Sequence, residues 1–386
     1  MTFDDFSDTE TALRDSLGRW LADHIDLSRH ARVDAPPSPP VWRSLARDLG
    51  LTGAGLPESA GGLGGGLRAH LVVLRTLGGA LCAEPYLSTA LVAGSALQRA
   101  GTPLANALLA AIAAGDAVVA WAHAEPGARN AARPAACTLR QDGTGWRLDG
   151  RKSAVTTAPW ATHWLVSARI AASGASALVL LDAANPGLSR RDLRALDGGW
   201  ASEVRLDDIA LPAEAVLQTG PAADDTLAAA LDAGALGVCA EALGVLERML
   251  ADTLAHVRER RQFGVPIASF QALQHRLADM HIAFQQAEAL TWAVADACHD
   301  ASDAQNGGNR DAARSRALAV SAAKVTVGAA CRTVGQGAVQ LHGAMGVTEE
   351  LPVGRFFRRA TQIELMFGSS GQHLRRIDRL QAPEKS

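Results

Sequence analysis

The residues of this chain that are best suited to chemistry form one short segment, Arg258–Phe270, which reads Arg-Glu-Arg-Arg-Gln-Phe-Gly-Val-Pro-Ile-Ala-Ser-Phe. Long alanine- and leucine-rich segments of helical period flank it, and Gly264 and Pro266 interrupt that period, so we predict a corner between two helices. The planar guanidinium of Arg260 matches phosphate oxygens, and such a corner suits a flat anionic ligand. The alternative is a solvated helix end whose last-turn arginines offset the helix macrodipole, and position alone favours that alternative.

Composition restricts the class of protein and of partner. The 386 residues carry a formal net charge of -3, so nothing indicates a nucleic-acid partner, and the length allows two or three domains with a large buried core. No uninterrupted apolar run predicts a membrane span, and the acidic N-terminus lacks a secretory signal pattern. The five cysteines are scattered and lack metal-ligand spacing, which predicts buried free thiols and a cytoplasmic location.

Hydrophobic periodicity divides the chain into three domains. Residues 1–115 are predicted to form an all-α domain, because apolar residues recur at three- and four-residue steps. Residues 116–212 contain short β-branched or aromatic runs separated by turn residues, which predicts a compact β-domain. Residues 221–386 return to the helical period in segments longer than typical helices, which predicts a bundle. The expected fold class is therefore α+β.

The segment Arg260–Ile267, Arg-x-Gln-Phe-Gly-x-Pro-Ile, resembles the signature of the acyl-CoA dehydrogenase family. Further matches extend the resemblance over nearly the whole chain. It implies an N-terminal helical domain, a central β-barrel-like domain and a C-terminal four-helix bundle. It also implies an FAD cofactor, with Arg260, Gln262 and Phe263 contacting its diphosphate and adenosine end across a subunit interface.

A second match lies at the end of a predicted helix, Gln336–Gly346. It resembles the family's Gln-x-x-Gly-Gly-x-Gly, where the backbone approaches the FAD of a neighbouring subunit, which glycine permits because it has no Cβ. On this resemblance Gln340 and Gly343 contact FAD; the alternative is an ordinary glycine helix stop. The resemblance extends the FAD-binding set to three more residues: Gln271, Ser369 and Gly371.

Two matches fall in the predicted β-domain. Trp121–Ala128 resembles the family's strand and loop ending in Glu-Pro-Gly-Ala, which lines the flavin ring, although Ala124 replaces a threonine that hydrogen-bonds the flavin edge. His123 could face the ring, but a packed β-domain histidine is an equal alternative.

The other β-domain match is Gly145–Thr156, which resembles the family's Gly-x-Lys-x-Trp-Ile-Thr strand. Thr156 keeps the hydroxyl that would hydrogen-bond the flavin. Ala154 replaces the tryptophan that stacks near the ring, so we expect open space on one flavin face and the loss of a large aromatic contact.

The last match lacks the family's catalytic base. In the family, a glutamate takes the α-proton of the thioester, and the flavin N5 accepts the β-hydride; the segment Arg358–Ser369 places Phe367 at the position of that glutamate. Some members carry the glutamate on the first bundle helix instead, and Leu227 matches that position. Glu364 lies one helical turn before Phe367, but a solvated or salt-bridged Glu364 is the better alternative. The catalytic residue is therefore unassigned.

Four functions follow from these matches. The first is a working FAD-dependent acyl-CoA dehydrogenase that performs α,β-dehydrogenation of an acyl-CoA thioester with an unusual base. In the second, a partner chain supplies the base, because the sequence resembles the small subunit of bacterial heteromeric acyl-CoA dehydrogenases such as pimeloyl-CoA dehydrogenase. The third is a structural subunit without flavin, and the fourth a related flavoenzyme acting on a non-CoA substrate. The resemblance implies a homo- or heterotetramer and electron-transfer flavoprotein as acceptor, with no nucleic-acid or membrane partner.

Overall fold

The computed structural model describes residues 6–25, 27, 39–82, 84–128, 131–303, 310–348 and 350–382. The chain divides into two compact units. The unit that we call the helical unit lies within residues 1–33, 67–82 and 235–386, and the unit that we call the sheet unit lies within residues 34–66 and 83–234. Both the class and the order of helices, sheet and helices agree with the sequence prediction of an α+β chain.

Helices lie before and after the strands in the described part of the chain. Within the described ranges they are α1 (Asp8–His24), α2 (Pro39–Arg47), α3 (Gly66–Gly79), α4 (Gly94–Ala100), α5 (Pro103–Ala113), α6 (Gly220–Glu259), α7 (Gln271–Asp303), α8 (Arg310–His342), α9 (Val353–Leu365) and α10 (Ser370–Gln381). A π-helical segment, Leu87–Ala93, leads directly into α4.

Two glycines bring α3 and α6 into backbone contact within the helical unit. A Cβ added to Gly244 would lie 1.9 Å from the carbonyl oxygen of Arg75, and one added to Gly78 would lie 2.2 Å from that of Glu241. The buried guanidinium of Arg75 pairs with Glu288 of α7 at 2.7 Å. Since buried charges need partners, this ion pair fixes α3 against the long helices.

The sheet unit carries the strands β1 (Val119–Ala122), β2 (Thr138–Asp142), β3 (Gly145–Val155), β4 (His163–Ile170), β5 (Ser176–Asp182), β6 (Leu188–Arg194), β7 (Trp200–Leu211) and β8 (Val216–Thr219). The strand order is β6-β7-β3-β2-β4-β5-β8, with β1 parallel to β4. The apolar side chains of both ends of this path, such as Val204 and Val179, belong to one core around the fully buried Trp164. The sheet is thus barrel-like in curving round one core, while its described strands follow an open path.

Strand β8 was not predicted from the sequence. It lies in the interval 213–220 that separates the predicted β-domain from the bundle, and it pairs with β5 through Ala177 and Thr219. Four residues directly after a proline and a short helical turn carry too little alternation to signal a strand.

The two long helices α6 and α8 have the length and apolar composition of membrane spans. In α6, 89% of the apolar window is buried inside the protein, and in α8 56% is buried. The apolar residues of α6 therefore pack mostly against protein, as in a core helix.

Candidate cofactor and substrate site

The predicted corner after α6 is a tight hairpin. The strand β9 (Arg261–Gln262) pairs with β10 (Val265–Pro266), and the turn residues Phe263 and Gly264 both have positive φ, +52° and +82°. Positive φ at both central residues is typical of a type I′ hairpin turn. In the left-handed region a phenylalanine costs about 1–2 kcal/mol, and here its ring is 92% exposed. The hairpin therefore holds an aromatic ring in solvent at an energetic cost.

Three predicted cofactor residues of the helical unit offer unused hydrogen-bond donors. Arg260, Gln271 and Gln340 are exposed, and none of their side chains bonds to another residue in the part of the chain that the structure describes. Gln262 donates to the neighbouring carbonyl oxygen of Arg261 at 2.8 Å. A guanidinium and two amides that are free to donate suit the phosphates and the polar base edge of a dinucleotide such as FAD.

The matched segment at the end of α8, Gln336–Gly346, lies beside this corner. Gly343 ends α8 with φ +62° and has open space where a Cβ would stand, so its backbone is accessible to a ligand. The preceding residue, His342, stacks on His256 of α6, with ring centroids 4.3 Å apart. Arg260 donates its backbone N–H to the carbonyl oxygen of His256 at 2.9 Å. The structure thus brings together two predicted cofactor segments that lie about eighty residues apart in the sequence.

Phe367 lies in a strained turn between α9 and α10. Its φ is +53° and that of Gly368 is +108°; a Cβ on Gly368 would stand 2.8 Å from Nε2 of His373. That same Nε2 donates to the carbonyl oxygen of Phe367 at 3.0 Å. A half-buried aromatic ring therefore occupies a fixed position in the turn where the family resemblance expects a carboxylate.

The next predicted cofactor residues begin α10. Ser369 caps this helix, because its backbone N–H donates to Oε1 of Gln372 at 2.9 Å in a capping box. Gly371 is exposed in the first turn. The structure therefore places both residues at the same helix terminus as Phe367, and their contact with FAD stays a prediction.

Glu364 is engaged in structural contacts. Its Oε1 accepts from Nη1 of Arg332 at 3.0 Å, and from the backbone N–H and Oγ of Ser370 at 3.2 Å and 3.0 Å. Two contacts thus hold the start of α10 and one is an ion pair, which favours the salt-bridged alternative over a catalytic role. Leu227, at the other known base position, is fully buried.

Thr156 lies in the turn directly after β3 in the sheet unit. Thr156 is half-buried, and Ala154 is exposed with φ +54°, next to an irregularity in the pairing of β3 with β7. Ser153 donates its backbone N–H to the carbonyl oxygen of Ala124 at 2.8 Å. The two β-domain matches are therefore adjacent and Ala154 is exposed, while the open space on one flavin face stays a prediction.

A buried ion pair between Lys152 and Glu125 was missed by the sequence analysis. The Lys152 Nζ lies 3.0 Å from Oε1 of Glu125, and both side chains are almost inaccessible, at 0% and 3%. Glu125 also accepts backbone N–H groups from residues 135–137 at 2.8–3.0 Å. Burial raises the pKa of Glu125, but Lys152 and these N–H groups outweigh it and lower the pKa to about 2. The glutamate of the Glu-Pro-Gly motif thus anchors the segment that leads into β2.

His123 belongs to the same network. Its Nε2 donates to the carbonyl oxygen of Ala131 at 2.8 Å, and its Nδ1 lies 2.9 Å from Oγ of Ser167. Burial lowers its pKa to about 4, so the ring is neutral at pH 7. These contacts favour the packed β-domain histidine over a ring that faces the flavin.

Models of the acyl-CoA dehydrogenase family match the chain in three consecutive parts. The N-terminal domain model matches residues 7–116, the middle domain model residues 120–209 and the C-terminal domain model residues 225–381. These matches confirm the predicted acyl-CoA dehydrogenase fold, with a helical, a β and a second helical domain in that order.

Known proteins resemble the chain over most of its length. It is 32% identical over 341 residues to acyl-CoA dehydrogenase FadE27 of Mycobacterium tuberculosis, which covers 88% of this chain and 87% of that protein. Among solved structures, a variant of the Tcur3481-Tcur3483 steroid ACAD is 32% identical, covers 97% of both chains and has a TM-score of 0.85. The ChsE4-ChsE5 complex of Mycobacterium tuberculosis is 29% identical, covers 99% of this chain and 100% of that chain, and has a TM-score of 0.86. With all three family domains in place, the chain belongs to the acyl-CoA dehydrogenase family of FAD-dependent oxidoreductases.

Proposed function

We propose that this chain is one subunit of a heteromeric FAD-dependent acyl-CoA dehydrogenase, and that a partner chain supplies the carboxylate base. The reaction is α,β-dehydrogenation of an acyl-CoA thioester. The observation that carries the proposal is the phenylalanine Phe367, which cannot accept a proton, in the turn where the family carries its base. Glu364 beside it is committed to Arg332 and Ser370, and the second known position holds the buried Leu227.

In this proposal the helical unit binds the diphosphate and adenosine end of FAD through Arg260, Gln262 and Phe263. The exposed donors of Gln340 and the open backbone of Gly343 also contact this end of FAD. Thr156, Gln271, Ser369 and Gly371 make the remaining contacts by the family resemblance. When bound, FAD supplies the acceptor for the β-hydride. The chain itself orients the cofactor and, with a hydrophobic Phe367, excludes water from the position next to the reacting carbons.

The heteromeric assembly is supported by the similar solved structures. Both are described as paired proteins, Tcur3481-Tcur3483 and ChsE4-ChsE5. We propose the same for this chain, as the base-lacking small subunit of a heterotetramer of the pimeloyl-CoA dehydrogenase type. We also propose a bacterial cytoplasmic location and an electron-transfer flavoprotein as acceptor.

Flavin bleaching tests the proposal. The chain is purified alone and after co-production with a partner chain of the family that carries the glutamate, and each sample is titrated anaerobically with acyl-CoAs. We expect loss of flavin absorbance only in the co-produced sample. Bleaching by the chain alone would contradict a partner-supplied base, and a colourless protein in both samples would favour the structural subunit. Bleaching by a small molecule without CoA would favour a related flavoenzyme with another substrate.

A bulky acyl group is a second candidate for the substrate. Ala154 replaces a tryptophan of the family and is exposed, which supports space for a wide ligand on one flavin face. One similar structure is described as a steroid ACAD. The acyl-CoA panel therefore includes a steroid side-chain thioester beside straight-chain thioesters, and faster bleaching by straight chains would reject the bulky class.

A further inference from the structure

We propose that His256 and His342 form a proton-linked part of the site that binds the diphosphate of the cofactor, so that FAD binding takes up a proton on His256. The inference rests on the proposed FAD binding at Arg260 and Gly343. It adds two residues to that site and predicts how its affinity depends on pH.

The position of the pair supports this role. The imidazole rings of His256 and His342 stack with centroids 4.3 Å apart and planes inclined by 23°. His256 lies one helical turn before Arg260, which bonds to its carbonyl oxygen, and His342 directly precedes Gly343. Any anion held between Arg260 and the open backbone of Gly343 therefore lies close to both rings.

The hydrogen bonds leave ring nitrogens available to a ligand. Nδ1 of His342 donates to the carbonyl oxygen of Ala338 at 2.8 Å, so Nε2 carries the lone pair of the neutral ring. The half-buried ring of His256 makes no hydrogen bond to another residue within the described ranges. His342 is buried, with 7% exposure, so the half-buried His256 is the ring of the pair that can hydrogen-bond a phosphate oxygen when it carries a proton.

The charges around His256 determine the direction of the pH effect. Burial lowers its pKa, and electrostatic interactions with His342 on α8 and with the positive charge of Arg260, directly after the end of α6, lower it further, while Glu259 opposes them. These are the charged and titratable groups, among the described residues, that act on this pKa. A bound diphosphate would place negative charge beside the ring and raise the pKa.

The linkage follows from this change. In the pH range between the pKa of the free and of the FAD-bound protein, the complex binds more protons than the free protein, so affinity rises as the pH falls. A rise of one unit in the pKa of His256 corresponds to about tenfold in affinity. We expect FAD to bind the wild-type protein roughly three- to tenfold more tightly at about pH 6 than at about pH 8.

The test is a titration of the FAD-depleted full-length protein with FAD, followed by flavin fluorescence at both pH values. The variant His256→Phe keeps a stacked ring without a proton and is expected to bind equally at both pH values. The matched control is His24→Phe, because His24 also stacks on an aromatic ring, that of Trp20, at 4.1 Å, outside the cofactor segments; it should keep the wild-type pH step. If His256→Phe fails to fold, as judged by circular dichroism, His256→Gln replaces it.

Each outcome decides between the two proposals. FAD binding that is independent of pH, that weakens toward acid, or that keeps its pH step without His256 would overturn the proton-linked pair and leave the FAD-binding function intact. Failure of the wild-type protein to bind FAD at either pH would overturn the proposed function together with the pair.

Discussion

Nζ of Lys152 lies 3.0 Å from Oε1 of Glu125 in the sheet unit, and neither side chain has appreciable access to solvent. The ammonium also donates to Oγ of Ser167 and to the carbonyl oxygen of His123, both at 3.2 Å. All three of its N–H groups therefore have partners. The pair ties the Glu-Pro-Gly segment to β3, so the two β-domain motifs keep a fixed spacing.

Removal of the lysine should strongly destabilise the protein. In Lys152→Met the carboxylate of Glu125 is left buried without its counter-charge, which costs about 3–5 kcal/mol. Urea unfolding monitored by tryptophan fluorescence measures the change. The control is Arg205→Met, because its pair with Asp207 is exposed at the surface and is worth about 0–1 kcal/mol. Equal losses of unfolding free energy in the two variants would show that the buried pair contributes no more to stability than the surface pair.

Acid should destabilise the protein through His123. Burial lowers the pKa of this imidazole to about 4 in the folded state from the ordinary 6.5, so between these values the unfolded chain binds a proton that the folded chain excludes. The free energy of unfolding therefore falls as the pH drops from about 6.5 to about 4. Urea unfolding at about pH 7 and about pH 5 should show a smaller difference in His123→Gln than in the wild type.

The same pH comparison has a built-in check. The exposed His24 offers a substitution, His24→Gln, that removes one imidazole without touching the buried network. If His24→Gln reduced the difference in unfolding free energy between the two pH values by as much as His123→Gln does, the acid effect would come from net charge and not from the buried ring. His70 is also buried with its pKa lowered to about 4, so a residual slope should remain in His123→Gln.

Arg260 should govern FAD retention. Arg260→Ala removes a charge-assisted contact of about 1.5–3 kcal/mol, so FAD affinity should fall about ten- to a hundredfold. The measurement is the ratio of flavin to protein absorbance after gel filtration. The adjacent Arg261→Ala is the control, because Arg261 pairs within the hairpin through its backbone. Unchanged flavin occupancy in Arg260→Ala would remove this residue from the site.

Phe367→Glu should give the chain a base of its own. The hydrogen bond from His373 to the carbonyl oxygen of Phe367 holds the backbone of this turn in place. A carboxylate introduced at position 367 should therefore start from the same backbone position. We expect acyl-CoA to bleach the flavin of this variant without any partner. Phe367→Gln has nearly the same shape as the glutamate variant and cannot take the proton, so it should stay yellow. A Phe367→Glu protein that retains FAD and still fails to bleach would show that this position does not face the substrate.

The sequence predicted the elements that depend on local pattern, and the structure added those that depend on distant contacts. The long helices α6, α7 and α8 follow from a sustained helical period, and Gly264 correctly marks the hairpin after α6. The pairing of Lys152 with Glu125 joins residues on different strands, and no periodicity signals it. The contact of Glu364 with Ser370 at the start of α10 depends likewise on how α9 and α10 meet. The contacts of the cofactor residues with FAD stay predictions, because they concern a ligand and a neighbouring subunit.

The aromatic tip of the hairpin has a practical consequence. The rings of Phe263 and Phe270 form a T-shaped pair with centroids 6.1 Å apart, and Phe263 and Val265 are both exposed. An exposed apolar tip of this kind promotes aggregation when no partner chain covers it. The yield and solubility of this chain should therefore improve when it is co-expressed with the proposed partner chain. When the chain is purified and stored without that partner, we expect it to aggregate and the solution to become turbid.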